Sequence, residues 1–252
     1  DVALVFLSAV LYRSGQLLDM DTVTAEARRR DIIAGWDLCH SIGAIPHDFK
    51  KLDAEFAVWC NYKYLNGGPG AAAGLYINRK YFDRTPGLAG WHGNRKDTQF
   101  DMKHEFEPAR YAGGWQTGTQ HVLSMAPLEG SLKMFNEIGI GPIRQKSLQL
   151  TAWFMHLIDD KLARYGFSIG NPREDHLRGG HVALEHKDAI RINAALKDNG
   201  VIPDFRYPNV IRLAPIALYT SYSDVYRVVE IIEDIMANRK YEVYEGKRGL
   251  VA

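Results

Sequence analysis

The chain has 252 residues, 46% of them hydrophobic, with 31 basic and 30 acidic side chains and a formal net charge of +1. That is enough apolar material for one large core or two small ones, and the even charge argues against nucleic acid or an anionic membrane surface as partner. No apolar run approaches the roughly 20 residues of a membrane span, and the two cysteines, Cys39 and Cys60, read as buried reduced thiols rather than a disulfide framework.

Val2–Ser8 is a continuous apolar run, the pattern of a strand buried on both faces of a parallel sheet. It has neither the basic leader nor the small-residue cleavage site of a signal peptide. Tyr12–Gln16 reads as a turn. Asp21 is placed to cap a helix that runs to Arg30, and Ile32–Trp36 is a second strand that ends at Asp37. Strand, helix and strand in this short span make a βαβ unit. A linker through Pro46 and Asp48–Asp53 leads to a third strand, Phe56–Cys60, followed by Tyr62-Lys63, the glycine-rich Asn66–Gly70 and a strand at Gly74–Ile77.

Residues 87–120 are rich in Gly, Trp and charge and read as a long irregular segment, the kind that tends to carry function. From Val122 the pattern is helical, with a long helix predicted over Ile143–Tyr165. A strand at His181–Glu185, a helix at Asp188–Asn199, a strand at Val210–Ala214 and a helix at Ser223–Asn238 follow. In the last, Val225, Val228, Val229, Ile232, Ile235 and Met236 recur at helical spacing. The expected fold class is α/β, with a mostly parallel, helix-covered sheet in residues 1–140 and a smaller α/β domain in 141–252.

Three successive strands deliver polar residues at or just past their carboxyl ends: Ser8, then Asp37 and His40, then Tyr62 and Lys63. Open α/β sheets bind ligands at that edge. An Asp and a Lys on neighbouring strand ends also read as a buried salt bridge. Pyridoxal phosphate (PLP), however, needs a lysine to carry it as a Schiff base and an acid opposite its pyridine nitrogen. The glycine run Gly67–Gly70 lacks the spacing and the Lys-Ser/Thr ending of a nucleotide phosphate loop. His176, His181 and His186 are five apart with no Cys nearby, which is off the spacing of a helical metal site.

Ser-Ala-Val-Leu-Tyr-Arg-Ser-Gly-Gln (8–16), Gly35-Trp36-Asp37-Leu38-Cys39-His40, Tyr62-Lys63-Tyr64-Leu65-Asn66-Gly67-Gly68-Pro69-Gly70, Gly90-Trp91-His92-Gly93 and Ile211-Arg212-Leu213-Ala214-Pro215 together resemble successive motifs of the kynureninases, PLP enzymes of fold type I. The resemblance runs through the whole chain in order. It implies that Lys63 carries PLP, that Asp37 pairs with the pyridine nitrogen, and that Ser8 and His40 line the pocket. Tyr62 would contact the phosphate and act as an acid/base. Trp91 and Thr119 would reach the phosphate from a neighbouring subunit, which makes a homodimer with shared active sites. Arg212 would grip the substrate α-carboxylate, a task suited to a planar bidentate donor.

Each residue also has a plainer reading: Ser8 as a strand end, His40 as a core histidine, Trp91 as packing, Thr119 as a loop residue. The implied activity is hydrolysis of L-kynurenine, or of its 3-hydroxy derivative, to anthranilate and L-alanine in the cytoplasm, within tryptophan catabolism and NAD biosynthesis. By the resemblance, Thr119 stands near where hydroxykynurenine-preferring animal relatives carry an amide, which favours kynurenine. Two alternatives stay open: another fold-type I lyase such as a cysteine desulfurase, and an inactive folded module that only dimerises. Desulfurases place His before the lysine, where this chain has Tyr62. The family also has an amino-terminal part that supplies further phosphate-binding residues. The full protein is therefore expected to be longer than this chain, or this chain alone to bind PLP poorly.

Overall fold

The computed structural model describes residues 1–247. The chain forms two compact units. The first comprises Asp1–Ala9, Asp19–Ile42 and His47–Glu137, and the second Val10–Leu18, Gly43–Pro46 and the described residues from Ile138 onward. The fold class is α/β, as the sequence predicts.

In the first unit, β1 (Leu4–Ser8), α1 (Met20–Arg29) and β2 (Ile33–Asp37) make the βαβ unit, and α2 (Phe49–Leu52) leads to β3 (Phe56–Cys60) and β4 (Ala73–Ile77). The sheet order is β1-β2-β3-β4, parallel through β3 and closed by an antiparallel β4. Asp19, not Asp21, caps α1: its carboxylate accepts from the Thr22 N–H at 3.0 Å. Asp21 lies within the first turn and pairs with Lys51 instead. The linker expected around Asp48–Asp53 contains the short α2, capped by Asp48.

Trp36 is buried and donates through Nε1 to Thr24 Oγ1 at 2.9 Å, which pins α1 to β2 without an orphaned polar atom. Glycines opposite aromatic residues tighten the sheet. A Cβ on Gly35 would lie 2.1 Å from the Phe56 ring paired with it, and one on Gly74 2.2 Å from the Trp59 ring paired with it.

One expectation fails here. β1 is not buried on both faces: Leu4 and Phe6 are each 48% exposed. It lies at the end of the sheet, and α1 packs against β2. Hydropathy alone cannot separate an apolar edge strand from a central one. Residues 78–121 contain only short 3-10 turns, as the composition predicts, and lead into α3 (Val122–Ile138).

The second unit has α4 (Ile140–Leu157), β5 (Ser168–Ile169), β6 (Val182–Glu185), α5 (Ala189–Asp198), β7 (Asp204–Arg206), β8 (Val210–Leu213) and α6 (Tyr222–Ala237). Its sheet, in the order β5-β6-β8-β7, is antiparallel throughout. The helix predicted over 143–165 starts earlier and loses its α form at Ile158, where a π turn and then a 3-10 turn carry the chain to Tyr165. The core joins Leu150 and Phe154 of α4 to Val182 and Leu184 of β6, Ile192 of α5 and Val225, Val229 and Ile232 of α6. Ser221 and Asp224 close a capping box on α6. Among the described residues no helix is long and apolar enough to cross a membrane.

Candidate active site

Because β1, β2 and β3 run parallel, their carboxyl ends share one edge of the first sheet. Ser8 and Asp37 are directly opposite in the register, and Ser8 Oγ donates to Asp37 Oδ2 at 3.2 Å. Asp37 Oδ1 accepts from the Cys39 N–H at 2.8 Å. Burial pushes the Asp37 acid upward, but hydrogen bonds from Cys39 and Ser8 and the charge of Lys63 outweigh it. Asp37 therefore stays below the usual carboxylate range and is charged at neutral pH.

The chain turns after β3 and presents Tyr62 and Lys63. Lys63 Nζ lies 3.2 Å from His40 Nε2 and 5.6 Å from the centre of the Tyr62 ring. The turn is rigidly held: Gly67 N–H donates to Asn61 O at 2.8 Å, and Ser131 of α3 bonds the carbonyl of Leu65. A Cβ on Gly67 would lie 2.9 Å from Asn61 O, so the tight return needs glycine there. Tyr62 is 53% exposed. The neighbouring Cys60 thiol, with partial burial, raises its phenol above the ordinary value, so it is a protonated donor at neutral pH.

The two cysteines enter this constellation, which the sequence reading did not anticipate. Both are free thiols, and the Cys60 N–H donates to Cys39 Sγ at 3.2 Å. Burial and the Asp37 carboxylate push the Cys39 thiol up to about 12. It is thus an uncharged neighbour of Asp37 and not a nucleophile. Their position is visible in the sequence only after the β2–β3 register is known, since each stands two residues from a predicted site residue.

The structure thus brings Ser8, Asp37, His40, Tyr62 and Lys63 together. Trp91 and Thr119 lie in the irregular segment. Trp91 donates to Gln99 O at 3.0 Å and meets Phe100 edge-on at 5.2 Å, and Thr119 is exposed. Arg212 belongs to the second unit, on β8. Its side chain is 11% exposed, its Nη1 donates to Tyr12 O at 2.8 Å, and its Nη2 pairs with Asp204.

The donor set fits pyridoxal phosphate. A carboxylate kept charged by hydrogen bonds, a lysine amine beside it and a protonated phenol stand at one sheet edge, which is the chemistry the cofactor's ring nitrogen, aldehyde and phosphate require. The described residues contain no cluster of acidic, His or Cys side chains that could hold a metal ion.

Comparison with known proteins agrees with the motifs. The family described as the kynureninase C-terminal domain matches residues 143–232. A kynureninase of Geobacillus thermodenitrificans is 60% identical over all 252 residues, which span 59% of that protein. Kynureninases of Bacillus cereus and Shouchella clausii are 58% and 52% identical with the same coverage. In fold, the chain is similar to a cysteine desulfurase of Thermococcus onnurineus, with a TM-score of 0.78 at 19% identity over 94% of this chain and 60% of that one. It is also similar to the cystine C-S lyase C-DES, with a TM-score of 0.77 at 20% identity over 92% and 61%. The structural likeness establishes the fold alone, whereas the residue-level likeness is specific: over its entire length the chain is similar to kynureninases, and it spans about three-fifths of the length of the relatives it matches.

Proposed function

We propose that the protein hydrolyses L-kynurenine to anthranilate and L-alanine, with pyridoxal phosphate carried on Lys63, in tryptophan catabolism and on the route to NAD. The observation that carries this reading is the hydrogen-bonded set Ser8–Asp37 beside Lys63–His40 at one sheet edge. The 60% identity to a kynureninase over every residue of the chain supports it.

Bound there, pyridoxal phosphate supplies an electron sink for the carbon whose bond breaks. The remaining work falls to the chain. Lys63 Nζ would carry the cofactor, and its amine would hold and return the substrate α-proton. His40, at 3.2 Å, holds that amine in place. The Asp37 carboxylate keeps the proton on the pyridine nitrogen. The Tyr62 phenol contacts the phosphate and moves a proton to or from the reacting carbonyl oxygen. Arg212 binds the substrate α-carboxylate. Ser8 lines the pocket through Asp37. Trp91 and Thr119 serve the phosphate of a second subunit in a cytoplasmic homodimer, and Thr119 favours kynurenine over its 3-hydroxy derivative. In this reading residues 1–140 form the cofactor domain, apart from Val10–Leu18 and Gly43–Pro46, which belong to the second compact unit, and 141–252 form the small domain.

The test follows anthranilate release from L-kynurenine by the purified protein and its Lys63→Ala variant, with mass spectrometry after borohydride reduction. The expected result is turnover and a pyridoxyl mass increment on the Lys63 peptide, both lost in the variant. Turnover that survives in Lys63→Ala, or an increment on another lysine, refutes the assignment.

A further inference from the structure

Arg212 does not wait with an empty fork. Asp204 is its direct cross-strand partner in the β7–β8 register, and the two side chains are ion-paired through Asp204 Oδ2 and Arg212 Nη2. The other oxygen, Asp204 Oδ1, lies 2.7 Å from Arg206 Nη1. Arg212 Nη1 is bonded to the carbonyl of Tyr12, and Arg212 Nε is buried without a hydrogen-bond partner. All these residues lie in the second unit.

This arrangement is incomplete in an informative way. A guanidinium fork is best satisfied by a carboxylate that takes two parallel N–H bonds. Asp204 takes one, through one oxygen, because its other oxygen is spent on Arg206. A buried donor is left over. Two guanidiniums share one carboxylate, so the cluster carries one uncompensated positive charge, which a single ligand carboxylate would neutralise. Asp204 is also free to let go, since Arg206 would keep it paired.

We propose that Asp204 is the resting counter-ion of Arg212, displaced from the fork by the substrate α-carboxylate and retained by Arg206, so that the Asp204–Arg206 pair sets the affinity for carboxylate ligands. This rests on the reading of Arg212 as the carboxylate-binding arginine. It adds an aspartate and a second arginine that the residue motifs do not single out.

The experiment measures, by calorimetry, binding of L-alanine and of L-alaninamide to the purified holoprotein and three variants. Asp204→Asn keeps the shape and removes the competing charge. L-alanine should then bind about tenfold tighter, the loss of one charge-assisted competitor, with L-alaninamide unchanged. In Arg206→Gln, Asp204 has no second partner and stays on Arg212, so L-alanine should bind more weakly. Weaker or unchanged L-alanine binding by D204N overturns the proposal, because Asp204 would then orient Arg212 or play no part. Should D204N not fold, R206Q decides: weakened binding of L-alanine alone supports the displacement, and unchanged binding overturns it. Arg212→Gln separates the two levels. If it keeps the preference for L-alanine over the amide, Arg212 is not the carboxylate site and the underlying reading fails. If it loses that preference while D204N and R206Q change nothing, only the role of Asp204 falls.

Discussion

Asp37 shows how much of the candidate chemistry rests on single atoms. Its carboxylate is half out of water, which alone would favour the neutral acid, yet the Cys39 N–H and the Ser8 hydroxyl bond the charged form and Lys63 stands beside it. Its pKa lies below the ordinary value, so its charge is in place at neutral pH and is lost only as the solution becomes strongly acidic. Asp37→Asn preserves the shape and removes the charge. The expected outcome is a fall in kcat of at least about a hundredfold with an unchanged far-ultraviolet circular dichroism spectrum. Near-wild-type turnover by this variant would remove Asp37 from the chemistry. Tyr62→Phe makes a second test at this scale. The phenol is 53% exposed and outside the packed core, so its removal should leave the unfolding midpoint in place. It should lower kcat by about a hundredfold or more if the hydroxyl moves a proton, and stopped assays on L-kynurenine would read the difference.

At the scale of elements, the sheet edge depends on the β2–β3 register, and that register depends on a glycine. Gly35 faces Phe56, and a methyl group there would sit 2.1 Å from the ring, far inside contact distance. Gly35→Ala must therefore move a strand or turn the ring, at a cost of about 1–3 kcal/mol in urea unfolding. Adding Phe56→Leu should recover part of that loss, and a double variant no more stable than G35A alone would show that the ring is not the obstacle. Much of the first unit was legible in the sequence for the same reason that this glycine matters. Each of β1, β2 and β3 is a short apolar run followed by its functional residue, so spacing and strand ends were readable without coordinates. Asp204–Arg206 was not read as a strand, since three residues with two charges carry no periodicity. Its meaning came only from the antiparallel pairing that sets Asp204 opposite Arg212. The Cys39–Cys60 contact escaped for a similar reason: it is a product of register rather than of motif.

At the scale of the molecule, each compact unit holds a histidine that the fold keeps neutral, His47 half-buried in the first and His181 buried in the second. In the first unit burial lowers His47 to about 4, and its Nε2 lies 3.0 Å from Ser41 Oγ. In the second, burial lowers His181 to about 4, with the Arg212 charge adding to the effect. Both values lie below the 6.5 of an exposed histidine. The unfolded chain therefore binds protons that the folded chain refuses, and stability must fall as pH drops. Each contribution is fully present above about pH 6.5 and is lost progressively as pH falls toward 4, with a limiting slope of about 1.4 kcal/mol per pH unit for each histidine. The tryptophans allow the two to be told apart, since Trp36 and Trp59 belong to the first unit and Trp153 to the second. Urea unfolding followed at pH 7.5 and pH 5 in a protein that keeps only Trp36 and Trp59 should show a lower midpoint at pH 5, and His47→Gln should flatten that difference. In a protein that keeps only Trp153, the same substitution should leave the pH dependence in place, because His181 and His186, both lowered by burial, supply it there. An equal, partial loss of pH dependence at both sets of tryptophans on changing His47 alone would mean that the two units unfold as one cooperative body.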